Sequence, residues 1–213
     1  MKRIKKNYDQ WAKLYDSNIN PTRDLDKSAT IETLTKISFN NVLELGCGSG
    51  KNTEWLINKV DKVVGIDFSE GMLSLARKKI FSDNIEFIQA DLNTEWPVDD
   101  NAFDLITINL TLEHIENLDH IFTSAFNKLN INGKCFVCEL HPEKQLAGSK
   151  ARFGDKGSEI VLDVFQHLES DYLTSAEKAG FNLLQQKDWF DDKDEIPRLI
   201  SFLFAKNNDS KRM

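Results

Sequence analysis

The 213-residue chain of 24.4 kDa has room for one domain with a full-sized core, and its 40% hydrophobic content is that of an ordinary globular protein. With 27 Lys and Arg against 34 Asp and Glu, the formal charge is −7 and the pI is near 5.2, a balance that repels a phosphate backbone and speaks against a nucleic-acid partner. No apolar run is long enough to span a bilayer, and the basic start MKRIKKNYDQW lacks the apolar stretch of a signal peptide. With only 3 cysteines as well, the expected compartment is the cytoplasm.

Two helical segments come first, over residues 3–16 and 22–37, with Pro21 at their boundary. Tyr8, Trp11 and Tyr15 fall on one face of the first, a pattern equally suited to core packing and to closing over a ligand. From residue 41 the runs NVLEL, KVVGID and IEFIQA alternate with the helical stretches KNTEWLINKV and EGMLSLARKKI, which predicts a parallel sheet covered on both faces. A fourth strand, FDLITINL, ends near Asn109 and leads to a helix over residues 117–130. Asn132 and Gly133 turn the chain into a fifth strand, KCFVCEL, whose alternation sends Cys135 and Cys138 to opposite faces as reduced core residues, with no metal site. A polar stretch over 143–158 precedes a helix near 170–179 that Gly180 closes. The last two strands, FNLLQQKDWF and PRLISFLFAK, are joined only by DDKDE, too short for a parallel crossover, so the final strand must run antiparallel to its predecessor. The reading is one domain over 1–213: a helical cap over 1–40, a core over 41–206 and a frayed tail over 207–213.

The loop ELGCGSGKNT carries glycines at positions 46, 48 and 50. A dinucleotide fingerprint needs a third glycine where Lys51 stands. A phosphate-cradling loop needs a hydroxyl residue where Asn52 stands and a glycine where Leu45 stands. Together with GIDFS, QADLN and FDLITINLTLEHI in that order, the loop makes the stretch from Asn41 to Lys206 resemble a class I S-adenosylmethionine-dependent methyltransferase, in the branch of ubiquinone-type and other small-molecule enzymes. The resemblance implies an α/β, Rossmann-like, doubly wound sheet of seven strands, parallel except for the last, under an N-terminal helical cap.

S-adenosylmethionine carries a ribose diol, an adenine, a zwitterionic tail and a sulfonium, but no phosphate, so it calls for acids rather than a lysine clamp. Asp67, about 20 residues past the loop, is placed to accept from the ribose hydroxyls. By resemblance Asp91 accepts from the adenine amino group with Leu92 beside the ring, and Glu44 lies near the tail's ammonium. Gly46, Cys47, Gly48 and Gly50 bring backbone to the tail, Phe68 and Met72 line the ribose and adenine wall, and Asn109 ends the fourth strand at the pocket. The resemblance implies a lid role for Trp11 and Tyr15, and Arg23 and Arg152 are candidates for gripping an anionic group.

Methyl transfer from a sulfonium, yielding S-adenosylhomocysteine, is an in-line displacement served mainly by alignment. A base is needed only when the acceptor carries a tightly held proton. His114 in LEHI, His141 in ELHP and His167 in FQHLESDY are the candidates, whereas His120 should face solvent. The acceptor is expected to be a small molecule, because Asn109 is followed by Leu110, Thr111 and Leu112 rather than the paired prolines of nucleobase amino methylases, and no cysteine stands where a nucleophile is needed. An RNA or protein methyltransferase, or a non-catalytic adenosylmethionine-binding protein, are the alternatives. The expected assembly is a monomer or weak homodimer without membrane contact.

Overall fold

The computed structural model describes residues 20–149, 152–153, 160–161, 164–191 and 195–206. The expected helix over 3–16, with Trp11 and Tyr15, lies outside the described residues, as does the tail over 207–213.

The first described element is helix α1 (Pro21–Leu34), started by Asn20, whose side chain accepts from the Arg23 amide at 3.1 Å, and by Pro21 in the first turn. It ends three residues short of the expected 37. Its buried residues include Ala29 and Leu34, which join the apolar core, and a polar stripe of Arg23, Asp26, Thr30 and Thr33 at helical spacing. Strand β1 (Asn41–Leu45) leads through the glycine loop to α2 (Thr53–Leu56), which is four residues rather than the ten that KNTEWLINKV suggests. Next come β2 (Lys62–Asp67), α3 (Glu70–Lys79), β3 (Ile85–Gln89) and β4 (Phe103–Asn109). A 3₁₀ turn, Leu112–His114, follows β4, and α4 (Leu118–Lys128) returns the chain to β5 (Leu129–Leu140). The short α5 (Pro142–Leu146) and β6 (Arg152–Phe153) fall in or at the edge of the polar stretch over 143–158, and β6 pairs with β7 (Ile160–Val161) just beyond it. Helix α6 (Glu169–Ala179) ends on Gly180 at φ 102°, before β8 (Phe181–Trp189) and β9 (Leu199–Lys206).

The seven-stranded sheet runs β3-β2-β1-β4-β5-β9-β8. β1 to β5 are mutually parallel, and β9 pairs antiparallel with both β5 and β8, as the short link demands. Each face has its own core. Leu45, Ile66, Ile108, Phe122 and Phe204 pack on one, and Val42, Val63, Leu105, Phe136 and Trp189 on the other. Cys135 and Cys138 fall on opposite faces, as strand alternation requires. Because the order reverses between β1 and β4, a crevice opens beyond the carboxyl ends of these strands. Among the described residues no helix is long and apolar enough to cross a membrane.

Candidate functional site

That crevice is a cavity fed by the ends of three strands: Glu44 and Leu45 from β1, Asp67 from β2 and Asn109 from β4. The glycine loop forms its floor, with Gly46, Gly48 and Gly50 at φ 69°, 54° and 82°, backbone that side chains disfavour. The amides of Gly46 and Cys47 both donate to the Ile66 carbonyl, at 2.8 and 3.1 Å, pinning the loop to the end of β2. A Cβ on Gly46 would stand 2.0 Å from Thr111 Oγ1, so the loop closes directly on the β4 exit. Leu110 at that exit takes φ 50°, a conformation costing a leucine about 1–2 kcal/mol, and it lines the cavity.

Asp67 is 6% exposed. Its Oδ2 accepts from the Gly48 amide at 2.9 Å and its Oδ1 from the Ser69 amide at 2.8 Å. Ser69 caps α3 through its hydroxyl, which accepts from the Met72 amide at 3.2 Å. A carboxylate offers about four acceptor sites, and these two amides hold Asp67 in place at the end of β2. Glu44 accepts from Thr53 Oγ1 at 2.5 Å. Burial pushes its carboxyl up to about 8, the Thr53 hydrogen bond opposes that, and the charges of Asp26 and Asp67 add to the rise. Cys47 lines the cavity, and burial, with Asp67 and Glu44 beside it, holds its thiol protonated. Phe68, Met72, Asp91 and Leu92 complete the wall; Asp91 Oδ1 accepts from the amide of Asn93 at 2.9 Å. Gly50 is the one loop glycine set back from the wall, against Ile80 and Ala76.

Of the three candidate histidines, only His114 borders the cavity. It is 8% exposed, with Nε2 3.8 Å from Glu113 Oε1. His141 caps α5, its Nδ1 accepting from the Glu143 amide at 3.2 Å, and its Nε2 lies 3.6 Å from Asp188 Oδ1. His167 holds the Ile115 carbonyl through Nε2 at 2.7 Å and rests edge-on against Tyr172. His120 is half-buried, with Nε2 3.3 Å from the Thr94 carbonyl in an exposed contact. Arg23 borders the cavity, and the Arg152 side chain lies outside the described residues.

Sequence reasoning missed the buried acids behind these positions. Asp26 on α1 borders the cavity and accepts from Asn109 Nδ2 at 2.6 Å and Asn52 Nδ2 at 3.0 Å; burial raises its carboxyl despite those bonds. Glu139 Oε1 accepts from the amides of Thr111 and Leu112 at 2.9 and 3.0 Å and so shapes the β4 exit, while burial lifts its carboxyl to about 8. Burial alone lifts Glu113 to about 7. The polar stripe on α1 was the available signal for Asp26, since four polar residues at helical spacing cannot face an apolar core without a polar counterpart.

Residues 43–137 match the family model described as a methyltransferase domain. A demethylmenaquinone methyltransferase of Clavibacter sepedonicus is 31% identical over 112 residues, covering 52% of this chain and 45% of that protein. A malonyl-[acyl-carrier protein] O-methyltransferase of Priestia megaterium is 30% identical over 185 residues, covering 83% of this chain and 58% of that protein. The chain therefore spans about half the length of these curated relatives. The crystal structure of an S-adenosylmethionine-dependent methyltransferase from Clostridium acetobutylicum superposes with a TM-score of 0.68 at 19% identity, covering 92% of this chain and 96% of that one. Over residues 43–137 the chain is thus similar to a methyltransferase domain, and it shares the Rossmann-like fold of the Clostridium acetobutylicum structure.

Proposed function

We propose that the protein transfers a methyl group from S-adenosylmethionine to a small-molecule acceptor. The observation that carries this reading is the set of acids on the cavity: Asp26, Glu44, Asp67 and Asp91 border it, together with the basic Arg23 and Lys51, beside a glycine loop that lacks the spacing of a phosphate cradle. Such a lining suits a cationic, phosphate-free ligand with a ribose diol. Asp67 would take the ribose hydroxyls and Asp91 the adenine edge, with Leu92, Phe68 and Met72 supplying apolar contact. Glu44 would lie toward the tail, and the loop backbone at Gly46, Cys47 and Gly48 would approach it. Bound there, the cofactor supplies an electrophilic methyl group on sulfur.

The chain's own contribution is alignment and exclusion of water, which can account for about 7–11 kcal/mol of a displacement barrier. His114 faces the cavity at the β4 exit, where an acceptor would enter. The two curated relatives are named for demethylmenaquinone and for malonyl-[acyl-carrier protein], and the acceptor is taken to be a small molecule of the first kind. The reading further places the enzyme in the cytoplasm as a single domain capped by residues 1–40, a monomer or weak homodimer without nucleic acid.

Thermal-shift titration tests the cofactor class. Stabilisation by S-adenosylmethionine and S-adenosylhomocysteine, with none by NAD or ATP, is expected; the reverse pattern overturns the reading. Release of S-adenosylhomocysteine across a panel of metabolites then separates an enzyme from a protein that only binds the cofactor.

A further inference from the structure

Glu139 stands behind the cavity rather than in it. It is 1% exposed on β5 and does not border the cavity, yet it holds the turn that carries four residues that do: Leu110, Thr111, His114 and Ile115. The β4–β5 ladder ends with Asn109 opposite Cys138. Past that point the Cys138 carbonyl accepts from the Leu110 amide at 2.9 Å, and Glu139 Oε1 accepts from the next two amides, Thr111 and Leu112, at 2.9 and 3.0 Å. Three consecutive amides of the turn thus end on two consecutive residues of β5.

No local group serves in its place. Thr111 begins the 3₁₀ turn without capping it, because its hydroxyl donates to the Asn109 carbonyl at 2.9 Å. The turn's own bonds, from the His114 amide to Thr111 and from the Ile115 amide to Leu112, use later amides and leave the first two to Glu139. Leu110, immediately before them, sits at φ 50°, a strained conformation that persists only where its surroundings over-determine it, and the paired bonds to Glu139 are such a restraint. The turn also abuts the glycine loop, since a Cβ on Gly46 would stand 2.0 Å from Thr111 Oγ1. A displaced turn therefore changes the floor of the cavity as well as its wall. Burial outweighs the two amide bonds and lifts the Glu139 carboxyl to about 8, so near pH 7 the group is a neutral acid for which glutamine is a matching acceptor.

We propose that Glu139 is a positioning residue for the whole site: from β5 it fixes the turn over 110–115, so that Thr111 closes on the glycine loop while Leu110, His114 and Ile115 face the ligand. The role rests on the cofactor reading above and needs no contact between Glu139 and any ligand. A cap that only held the fold would add stability and leave affinity alone, whereas a positioning residue changes how well the cavity takes its ligand.

Calorimetry with S-adenosylhomocysteine tests it, on the full chain as wild type, Glu139→Gln, Glu139→Asp and Glu139→Met, at a temperature where circular dichroism shows each protein folded. Glu139→Gln should bind within threefold of the wild type at pH 7, because it keeps an acceptor for both amides. Glu139→Met has no such acceptor and should weaken binding at least tenfold. Glu139→Asp, one methylene short of the amides, should weaken it at least fivefold and carries the test if the methionine variant does not fold. Hydrogen exchange in a peptide spanning 110–115 should quicken in Glu139→Asp and Glu139→Met but not in Glu139→Gln. Quickened exchange with unchanged affinity overturns the proposal, since the turn would then be freed without consequence for the ligand, and unchanged exchange in Glu139→Asp overturns it too. A loss of affinity in Glu139→Gln as large as in Glu139→Asp does the same, because charge rather than the held amides would then matter. Failure of the wild type to bind S-adenosylhomocysteine at all removes the cofactor reading and this proposal with it, an outcome distinct from tight wild-type binding that ignores residue 139.

Discussion

Asp67 and Gly48 are bonded across 19 residues of chain: the carboxylate at the end of β2 accepts the loop amide at 2.9 Å. The acid that would hold the ribose therefore also fixes the backbone that would meet the tail. Replacing it should damage both. Asp67→Ala is expected to weaken S-adenosylhomocysteine binding by at least tenfold, since each charge-assisted hydrogen bond lost is worth about 1.5–3 kcal/mol. Asp67→Asn, which can still accept the Gly48 amide, should retain more thermal stability than Asp67→Ala while losing comparable affinity. Unchanged affinity in a folded Asp67→Ala protein would contradict the ribose role.

The loop glycines are not equivalent. Both Gly46 and Gly48 hold positive φ, so alanine at either is strained by about 1 kcal/mol. At Gly48 nothing lies within 4 Å of the new Cβ, whereas at Gly46 it would meet Thr111 Oγ1 at 2.0 Å and force the β4 exit to move. Gly46→Ala should accordingly lower the melting temperature more than Gly48→Ala. A double variant, Gly46→Ala with Thr111→Ser, should recover little, because the hydroxyl remains in the way. Equal melting temperatures for the two single variants would show that the loop and the β4 exit are not in contact.

Much of this architecture was legible in the sequence, and the parts that were not share a physical cause. Strand alternation placed Cys135 and Cys138 on opposite faces, and the brevity of DDKDE fixed the antiparallel direction of β9, because both depend on local geometry alone. The motif spacing likewise put Glu44, Asp67 and Asn109 at strand ends that converge. The partners of these residues were not legible. Asp26 meets Asn109 across 83 positions, and Glu139 meets Thr111 across 28, so no window of sequence contains either pair. The histidines show the same limit. Position relative to a strand end brought His114 and His141 forward, and resemblance to an acceptor-covering segment brought His167, but only tertiary contacts distinguish the one that borders the cavity from the two held by Glu143, Asp188 and Ile115.

Three buried glutamates make stability depend on pH in an unusual direction. Glu44 and Glu139 are pushed up to about 8 and Glu113 to about 7, from an ordinary value of 4.5, all chiefly by burial. A carboxyl raised in the folded state keeps its proton where the unfolded chain has lost it. Its contribution is complete below the unfolded value and is lost as pH climbs from about 4.5 through the folded value, at up to roughly 1.4 kcal/mol per unit for each group. The melting temperature of the cofactor-free protein should therefore fall between pH 5 and pH 8. Glu44→Gln and Glu139→Gln should each flatten that slope, because a neutral amide has no proton to lose. A cationic ligand favours the ionised form of Glu44, so calorimetry in buffers of different ionisation enthalpy should detect proton release on cofactor binding near pH 7. Glu44→Gln should diminish it. A melting temperature that rises steadily from pH 5 to pH 8 would refute the burial argument.

The last prediction separates histidines that hold the fold from one that could meet the acceptor. His167 anchors the Ile115 carbonyl and His141 caps α5, so His167→Ala and His141→Ala each forgo a hydrogen bond worth about 0.5–1.5 kcal/mol and should lower the melting temperature. Neither borders the cavity among the described residues, so cofactor affinity should stay within threefold and the pH profile of turnover should keep its form. His114 differs in kind, since it borders the cavity, and Glu113 lies 3.8 Å from its Nε2. If the acceptor delivers its proton there, His114→Ala should depress kcat and erase the limb of the profile that rises through the histidine's titration, with cofactor affinity little changed. If the ring only shapes the pocket, KM for the acceptor should rise while kcat and the limb survive. Displacement at a sulfonium needs alignment more than it needs a base, so the expected result for His114→Ala is the second pattern. Loss of the limb in His114→Ala would assign it acid–base work, and loss of the limb in His167→Ala or His141→Ala would place the proton path outside the cavity described above.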